Sequence, residues 1–325
     1  MTNKLLDVQN LKVSFFTHAG EVKAVNDVSF SLDHGEVIGI VGESGSGKSV
    51  TSYSIIRLID SPGKVKEGTI MFEGKNLLGL DEKAMQSVRG NEISMIFQDP
   101  MTSLNPVFKI GNQLVEAAMQ HCDVNRKKAK EIALNMLKLV GIPSPEKRFD
   151  QYPHEFSGGM RQRAMIAMAL TCDPKLLIAD EPTTALDVTI QAQILELLKE
   201  LKQKINMSII LITHDLGIIS DLCDKVLVMY AGKIVEESLI DDIFYAPKHP
   251  YTLGLLRSIP KLNSEEHDRL IPIQGHPVDM LNPPAGCAFA PRCEHCMKIC
   301  LAEYPPMFTI SETHKAACWL LYEKD

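Results

Sequence analysis

Residues 5 to 33 alternate apolar and polar side chains, with Leu11, Val13 and Phe15 followed by Val22, Ala24, Val28, Phe30 and Leu32. That period of two predicts half-buried antiparallel strands. The run Val37 to Val41 is continuously apolar and predicts a buried strand. So do ISMIF from Ile93, LLIA at 176–179 and IILI at 209–212. The segment 67–77 reads as a further strand after a turn at Pro62 and Gly63, and 225–237 as a hairpin turning at Ala231 and Gly232. Between 110 and 141 the period lengthens: Ala129, Ile132, Ala133, Met136, Leu137 and Val140 recur at helical spacing, and Gly141 with Pro143 supplies a stop. Helices are also predicted over about 48–59, from Ser157 as N-cap through Leu170, and after TALD at 184–187, where Ile190, Ile194, Leu197 and Leu198 share one face.

Strands that end beside helix starts concentrate the chemistry. GESGSGKS, from Gly42 to Ser49, fits the phosphate-loop pattern G-x-x-x-x-G-K-[ST] between a buried strand and a helix. Gly42, Gly45 and Gly47 let the backbone curl so that successive N–H groups point at a di- or triphosphate. Ser44 and Val50 lie in and just after the loop. Lys48 would reach the β- and γ-phosphates, Ser49 would offer its hydroxyl to Mg2+, and the helix start adds its positive end.

Further along, the buried strand at 175–179 ends in Asp180 and Glu181. A carboxylate there can hold the Mg2+ shell, and its neighbour can polarise an attacking water; taken alone, such a pair is as readily a solvated turn. The strand at 208–213 ends at His214, on the edge where α/β proteins bind ligands, although a single histidine is more often structural. Ser157, Gly158 and Gly159 open a helix with exposed N–H groups and a hydroxyl, either a glycine-weakened start or an anion site. Phe15 and Phe16 lie upstream of the phosphate loop, where one aromatic is expected in the core and one could stack on adenine.

Composition narrows the class. The 325 residues are 45% apolar and 23% charged, enough for about two ordinary domains. With a net charge of −7 and no basic block, nucleic acid is not an expected ligand. The stretch MTNKLLDVQN lacks the apolar core of a signal peptide, and no apolar run approaches the length of a membrane span. The expected location is therefore cytoplasmic.

The order of phosphate loop, Gln98, SGG helix, Asp180-Glu181, TALD and His214 resembles the ATP-binding subunit of an ABC transporter, over about residues 5 to 250. The resemblance implies an α/β fold: a P-loop NTPase (RecA-like) core with an antiparallel β subdomain and an inserted helical subdomain at about 100–170, together residues 1–250. A cysteine-rich extension would occupy 251–325. It further implies that Lys48 and Ser49 bind phosphate and Mg2+, that Gln98 senses Mg2+ and contacts the membrane subunits, and that Glu181 is the general base. His214 would contact the γ-phosphate; Ser157, Gly158 and Gly159 would form the signature; Asp187 would belong to the loop joining two halves of a dimer; Phe15, with Phe16 adjacent, would stack on adenine. In this family two such domains pack head to tail with ATP between the loop of one and the signature of the other. The signature here reads FSGGM, with Met160 where glutamine is common, and the stacking residue is Phe rather than Tyr. Such a subunit sits on the cytoplasmic face of the membrane and needs two transmembrane permease subunits, a second ATPase (a paralogue by family precedent) and a solute-binding protein.

Residues 246–260, centred on His249, Pro250 and Tyr251, resemble the extension of the oligopeptide and dipeptide importer ATPases, whose relatives also import nickel and some sugars. Peptide import is the leading reading and nickel or another solute the alternative. DNA-repair members of the wider family carry a long coiled coil between phosphate loop and signature, whereas Ser157 follows Lys48 by only 109 positions here; translation members carry two cassettes, and this chain has one. A small-molecule kinase has no use for a signature helix.

Five of eight cysteines fall between Cys287 and Cys318, among prolines. Cys122, Cys172 and Cys223 are expected as buried thiols. Dense cysteines in a reducing compartment suggest thiolate ligation of zinc or an iron–sulfur cluster. Cys287, Cys293, Cys300 and Cys318 match the spacing C-x5-C-x6-C plus a later cysteine, which in the importer ATPases implies a [4Fe-4S] cluster. Cys296 is extra, and its C-x2-C spacing to Cys293 also suits zinc.

Overall fold

A computed structural model describes residues 4–99, 103–184, 186–259 and 272–322. Pro100, Ala185 and Pro260, each part of a stretch singled out above, lie outside the described residues. The described strands are β1 (Lys4–Thr17), β2 (Gly20–Asp33), β3 (Val37–Val41), β4 (Gly63–Phe72), β5 (Lys75–Asn76), β6 (Ile93–Ile96), β7 (Leu176–Asp180), β8 (Ser208–Thr213), β9 (Lys225–Tyr230), β10 (Lys233–Leu239), β11 (Phe308–Thr309) and β12 (Lys315–Ala316). They distribute over two compact units, one of residues 1–32, 37–78 and 213–325, the other of 33–36 and 79–212. No helix among the described residues is long and apolar enough to cross a membrane.

In the first unit the alternating N-terminal segment forms a sheet in the order β2-β1-β4-β5. β1 and β4 are antiparallel, with Leu6 opposite Phe72 and Phe15 opposite Gly63. The predicted strand at 67–77 is in fact two, because Glu73 (φ 46°) and Gly74 (φ 78°) both take left-handed conformations and make a tight hairpin turn. A second group of strands runs β11-β12-β10-β9-β3. Here β3 is parallel to β9, and β9 turns into β10 through Ala231 (φ 49°) and Gly232 (φ 76°), the predicted hairpin. The C-terminal segment adds β12 to the edge of β10, with Glu236 opposite Ala316. The tail thus belongs to the same unit as the phosphate loop.

The helix after that loop, Lys48–Ile55, is shorter than the periodicity predicts. Arg57 takes a left-handed φ of 53°, Leu58 N–H donates to Tyr53 O at 2.8 Å and Arg57 N–H to Ser54 O at 3.2 Å. This pair of bonds satisfies the last carbonyls and turns the chain out of the helix, with a non-glycine residue in the left-handed position.

In the second unit β6, β7 and β8 are parallel, with Ile93 opposite Leu176 and Leu176 opposite Ser208. Leu176 to Ala179 and Ile209 to Ile212 are fully buried, which explains why these strands read as apolar runs rather than alternations. β6 stops at Ile96, two residues short of Gln98. The predicted helical stretch resolves into Ile110–His121 and Arg126–Leu139, the latter capped by Asn125 and burying Ala129, Ala133 and Leu137. Gly158–Ala169 and Val188–Ile205 complete the longer helices of this unit.

Candidate functional site

The phosphate loop shows why each glycine stands where it does. A Cβ on Gly42 would lie 2.2 Å from Met229 O, and one on Gly47 2.4 Å from Ala24 O, so backbone from β9 and β2 closes on both positions. Gly45 differs: a Cβ there would meet nothing within 4 Å, and the requirement comes from its φ of +79° alone. The loop is therefore packed from below and open at its tip, where Ser44 and Gly45 are exposed.

Lys48 is buried and folds back over the loop, its Nζ donating to Gly42 O at 2.7 Å and Glu43 O at 2.9 Å. Gly47 is the N-cap of the following helix in a left-handed conformation, with no side-chain cap for the first N–H groups. Those donors, with Ser49 and Val50 half-buried at the helix start, are what an anion at this terminus would use. Ser46 Oγ is buried and has no hydrogen-bond partner among the described residues. An orphaned hydroxyl, an open glycine and uncapped N–H groups fit a bound phosphate chain.

Also in this unit, β1 sends Phe15 and Phe16 to opposite faces. Phe15 is half-buried with its ring edge over Gly63, while Phe16 is 45% exposed, with the ammonium groups of Lys64 and Lys66 6.0 and 5.9 Å from its ring centre. His214 is exposed directly after β8.

In the second unit Asp180 ends β7 and is 1% exposed. Glu181 follows with a left-handed φ of 47°, a costly conformation for a residue with a Cβ and one that tends to mark functional turns. Its N–H donates to Ile212 O at 2.9 Å, and its Oε2 accepts from Gln98 Nε2 at 2.8 Å and Thr184 Oγ at 2.9 Å. Gln98 and Glu181, distant in sequence, are thus in direct contact.

Ser157 caps the helix Gly158–Ala169, its Oγ accepting from Met160 N–H at 3.3 Å. The second signature glycine has a packing reason: a Cβ on Gly159 would lie 2.9 Å from Ile190 Cγ2. Asp187 caps the helix Val188–Ile205, accepting from Ile190 N–H at 3.0 Å. Met160 leaves the cap intact, as the pattern of residues implies.

The His-Pro-Tyr segment begins the helix Pro250–Arg257. His249 Nδ1 accepts from Tyr251 N–H at 3.1 Å, and burial pushes the imidazole pKa down to about 3, so the ring is a neutral acceptor. Tyr251 is buried against Tyr230 and Phe289, and its hydroxyl accepts the Glu43 N–H at 2.7 Å. Glu236, fully buried on β10, accepts from the N–H groups of Lys248 (2.6 Å) and His249 (3.0 Å) and from His314 Nε2 (2.8 Å). One carboxylate thus ties the segment and the tail to the sheet. Glu43, Glu236 and Arg292 were not singled out by sequence reasoning, because Glu43 sits at a free position of the loop pattern and the other two belong to no motif; Thr184 was read only as the first residue of TALD, not as a partner of Glu181.

Cys287, Cys293, Cys300 and Cys318 line one cavity together with His249, Phe289 and Trp319, whereas Cys296 is exposed and does not line it. Burial raises the thiol pKa of Cys318 to about 11 and also raises that of Cys287 and Cys293. Among the described residues no group of three or more His, Cys, Asp and Glu side chains is set to hold a metal ion. Of the three remote cysteines only Cys223 is buried as expected. Cys122 and Cys172 are half-buried at helix ends with their sulfurs 3.5 Å apart, a thiol–thiol contact rather than apolar filler.

Comparison with known proteins follows the same division. Residues 25–184 match the family model described as ABC transporter, and residues 235–300 the one described as oligopeptide/dipeptide transporter, C-terminal region. The chain is 59% identical over 320 residues to the oligopeptide transport ATP-binding protein OppD of Bacillus subtilis, covering 98% of this chain and 89% of that protein. It is 56% identical over 318 residues to the dipeptide transport ATP-binding protein DppD of the same organism, covering 98% and 95%. The solved dimeric ATP-binding cassette MJ0796, in a post-hydrolysis state bound to ADP and Pi, superposes with a TM-score of 0.65 at 24% identity over 72% of this chain and 98% of that one. The structure of cbiO1 from Clostridium perfringens gives a TM-score of 0.65 at 28% identity over 75% and 92%. The shared fold is that of a mixed α/β ATPase cassette.

Proposed function

The chain belongs to the ATP-binding proteins of oligopeptide and dipeptide ABC transporters, and from that premise we propose how its residues energise peptide import. It is the ATP-hydrolysing subunit of a peptide importer. The observation that carries the substrate class is the second family match, at residues 235–300, because the cassette alone is common to many transported solutes.

In the proposed mechanism Gly42, Ser44, Gly45, Gly47, Lys48, Ser49 and Val50 bind the phosphates of ATP. Phe15 serves the adenine, with Phe16 the alternative whose ring is more exposed. Lys48, already bent over the loop mouth, exchanges carbonyl partners for β- and γ-phosphate oxygens. Glu181 orients the attacking water and takes its proton; Gln98 and Thr184 hold that carboxylate in place. His214 contacts the γ-phosphate. Ser157, Gly158 and Gly159 serve the nucleotide of a second ATPase subunit, and Asp187 the junction with it. Ser49, Gln98 and Asp180 are oxygen donors suited to a hard cation; Mg2+ held by them, directly or through water, would neutralise phosphate charge.

Partners in this proposal are a paralogous ATPase, two transmembrane permeases and a solute-binding protein, which place the chain peripherally on the cytoplasmic membrane face. The division into a cassette (1–250) with a helical subdomain and an extension (251–325) is retained as a functional one. For the extension we propose that Cys287, Cys293, Cys300 and Cys318 hold a [4Fe-4S] cluster, with zinc the alternative. Their common cavity and the exclusion of Cys296 support that donor set. The cluster would supply a cross-link for a tail with little regular structure.

The test is uptake of labelled dipeptide, longer oligopeptide and nickel by cells lacking this chain, complemented with wild type or Glu181→Gln. Peptide uptake restored only by wild type is expected, and it ranks peptide length. Unchanged peptide uptake with altered nickel uptake would remove the peptide assignment and leave the ATPase.

A further inference from the structure

Glu43 poses an electrostatic problem if the loop binds nucleotide, as proposed above. An acidic side chain at the second position of an anion-binding loop repels the triphosphate it serves. The cysteine-rich tail answers it with one residue. Arg292, directly before Cys293, has a side chain only 4% exposed and forks onto Glu43, Nη1 to Oε2 at 2.5 Å and Nη2 to Oε1 at 2.9 Å. Such a bidentate pair cancels charge and fixes geometry together.

The guanidinium is itself held from several sides. Its Nε donates to Gln274 O at 3.0 Å and Nη2 to Ile273 O at 3.3 Å, while Nη1 lies 3.4 Å from Tyr230 Oη. The rings of Tyr230 and Phe289 stand 5.9 Å from its central carbon. Glu43 is fixed at its backbone too: its N–H donates to Tyr251 Oη, and its carbonyl accepts from both Lys48 Nζ and Ser46 N–H. Any movement of Glu43 therefore moves the resting place of Lys48 and the curl of the loop. Pro277, Val278 and Met280 of the tail line a small cavity with Glu43, Ser44, Gly45 and Ser46, so the extension borders the same stretch of loop.

We infer that Arg292 is a positioning residue for nucleotide binding: by neutralising and fixing Glu43 it makes the phosphate loop's affinity for a nucleoside triphosphate depend on the cysteine-lined tail. The inference rests on the phosphate-loop reading of Gly42 to Ser49.

The experiment is a double-mutant cycle in the assembled transporter, with the dissociation constant of a fluorescent ATP analogue as readout at low and high salt. Arg292→Gln is expected to weaken binding on the order of tenfold, within the usual range of coupling between sites. In a Glu43→Gln background the same change should cost less than about threefold, because no carboxylate is left exposed to the phosphates. High salt should shrink the loss in the single variant. Arg292→Lys, which keeps the charge without the fork, should fall between wild type and Arg292→Gln, and it serves as the second reading if Arg292→Gln folds poorly. Equal losses in both backgrounds, or Arg292→Gln and Arg292→Lys binding as wild type does while Lys48→Ala loses nucleotide, would overturn the inference. Full binding by Lys48→Ala would instead bring down the phosphate-loop reading beneath it.

Discussion

Gln98 Nε2 donates to Glu181 Oε2 at 2.8 Å, and Thr184 Oγ donates to the same oxygen at 2.9 Å. Two donors on one oxygen fix the carboxylate's rotamer at the end of β7 before any water is bound. Thr184→Val removes one donor and keeps the shape. Steady-state turnover should fall by about three- to tenfold while nucleotide affinity stays as it is, the pattern of a group that orients a base. Equal turnover would show that Gln98 alone suffices.

Gly42 and Gly45 carry the same letter in the loop pattern for different reasons. Gly42→Ala drives a Cβ to 2.2 Å from Met229 O, whereas Gly45→Ala meets open space and a strained φ. Gly45→Ala should cost about 1–2 kcal/mol in denaturant titration, and Gly42→Ala distinctly more, because backbone must move. The reverse order would contradict the packing of the loop.

Glu236 should behave as the knot of the C-terminal segment. Glu236→Ala leaves two backbone N–H groups and His314 Nε2 without their acceptor, at a cost of about 1–3 kcal/mol for each buried donor left unpaired. Limited proteolysis should then open residues after 245 ahead of the rest of the unit. A variant that resists protease as wild type does would show the tail to be held by other contacts.

Thiol labelling separates the cysteines. Burial raises the Cys172 pKa to about 12, which keeps the thiol protonated and slow to alkylate at pH 8. Among the cysteines outside the proposed cluster, iodoacetamide should modify exposed Cys296 first and Cys172 last. If Cys287, Cys293, Cys300 and Cys318 hold the cluster proposed above, they should react only after its removal by an iron chelator and oxidant. Early labelling of any of those four in cluster-loaded protein would take it out of the donor set.

The phosphate loop, the carboxylates ending β7, the cap Ser157 and the helix start after TALD were legible because each depends on residues close in sequence: a strand, a turn and a helix start. Apolar runs marked β3, β7 and β8 for the same reason. The contacts that hold the site were not legible. Glu43 meets Arg292 across 249 positions and Tyr251 across 208, and nothing local to any of them encodes the encounter. His249 and Tyr251 could be named as a family mark, but their work as helix cap and loop support emerged only when β10 placed Glu236 beneath them. Helix 48–59 was overextended because Arg57 adopts a left-handed turn normally left to glycine.

The most direct test of the account is ATP binding and single-turnover hydrolysis by Glu181→Gln in the assembled transporter. The substitution keeps side-chain size and removes the proton acceptor. ATP binding is expected to be retained and hydrolysis to fall by about 10²–10⁴-fold. Undiminished hydrolysis would contradict the account, and the base would have to be sought elsewhere.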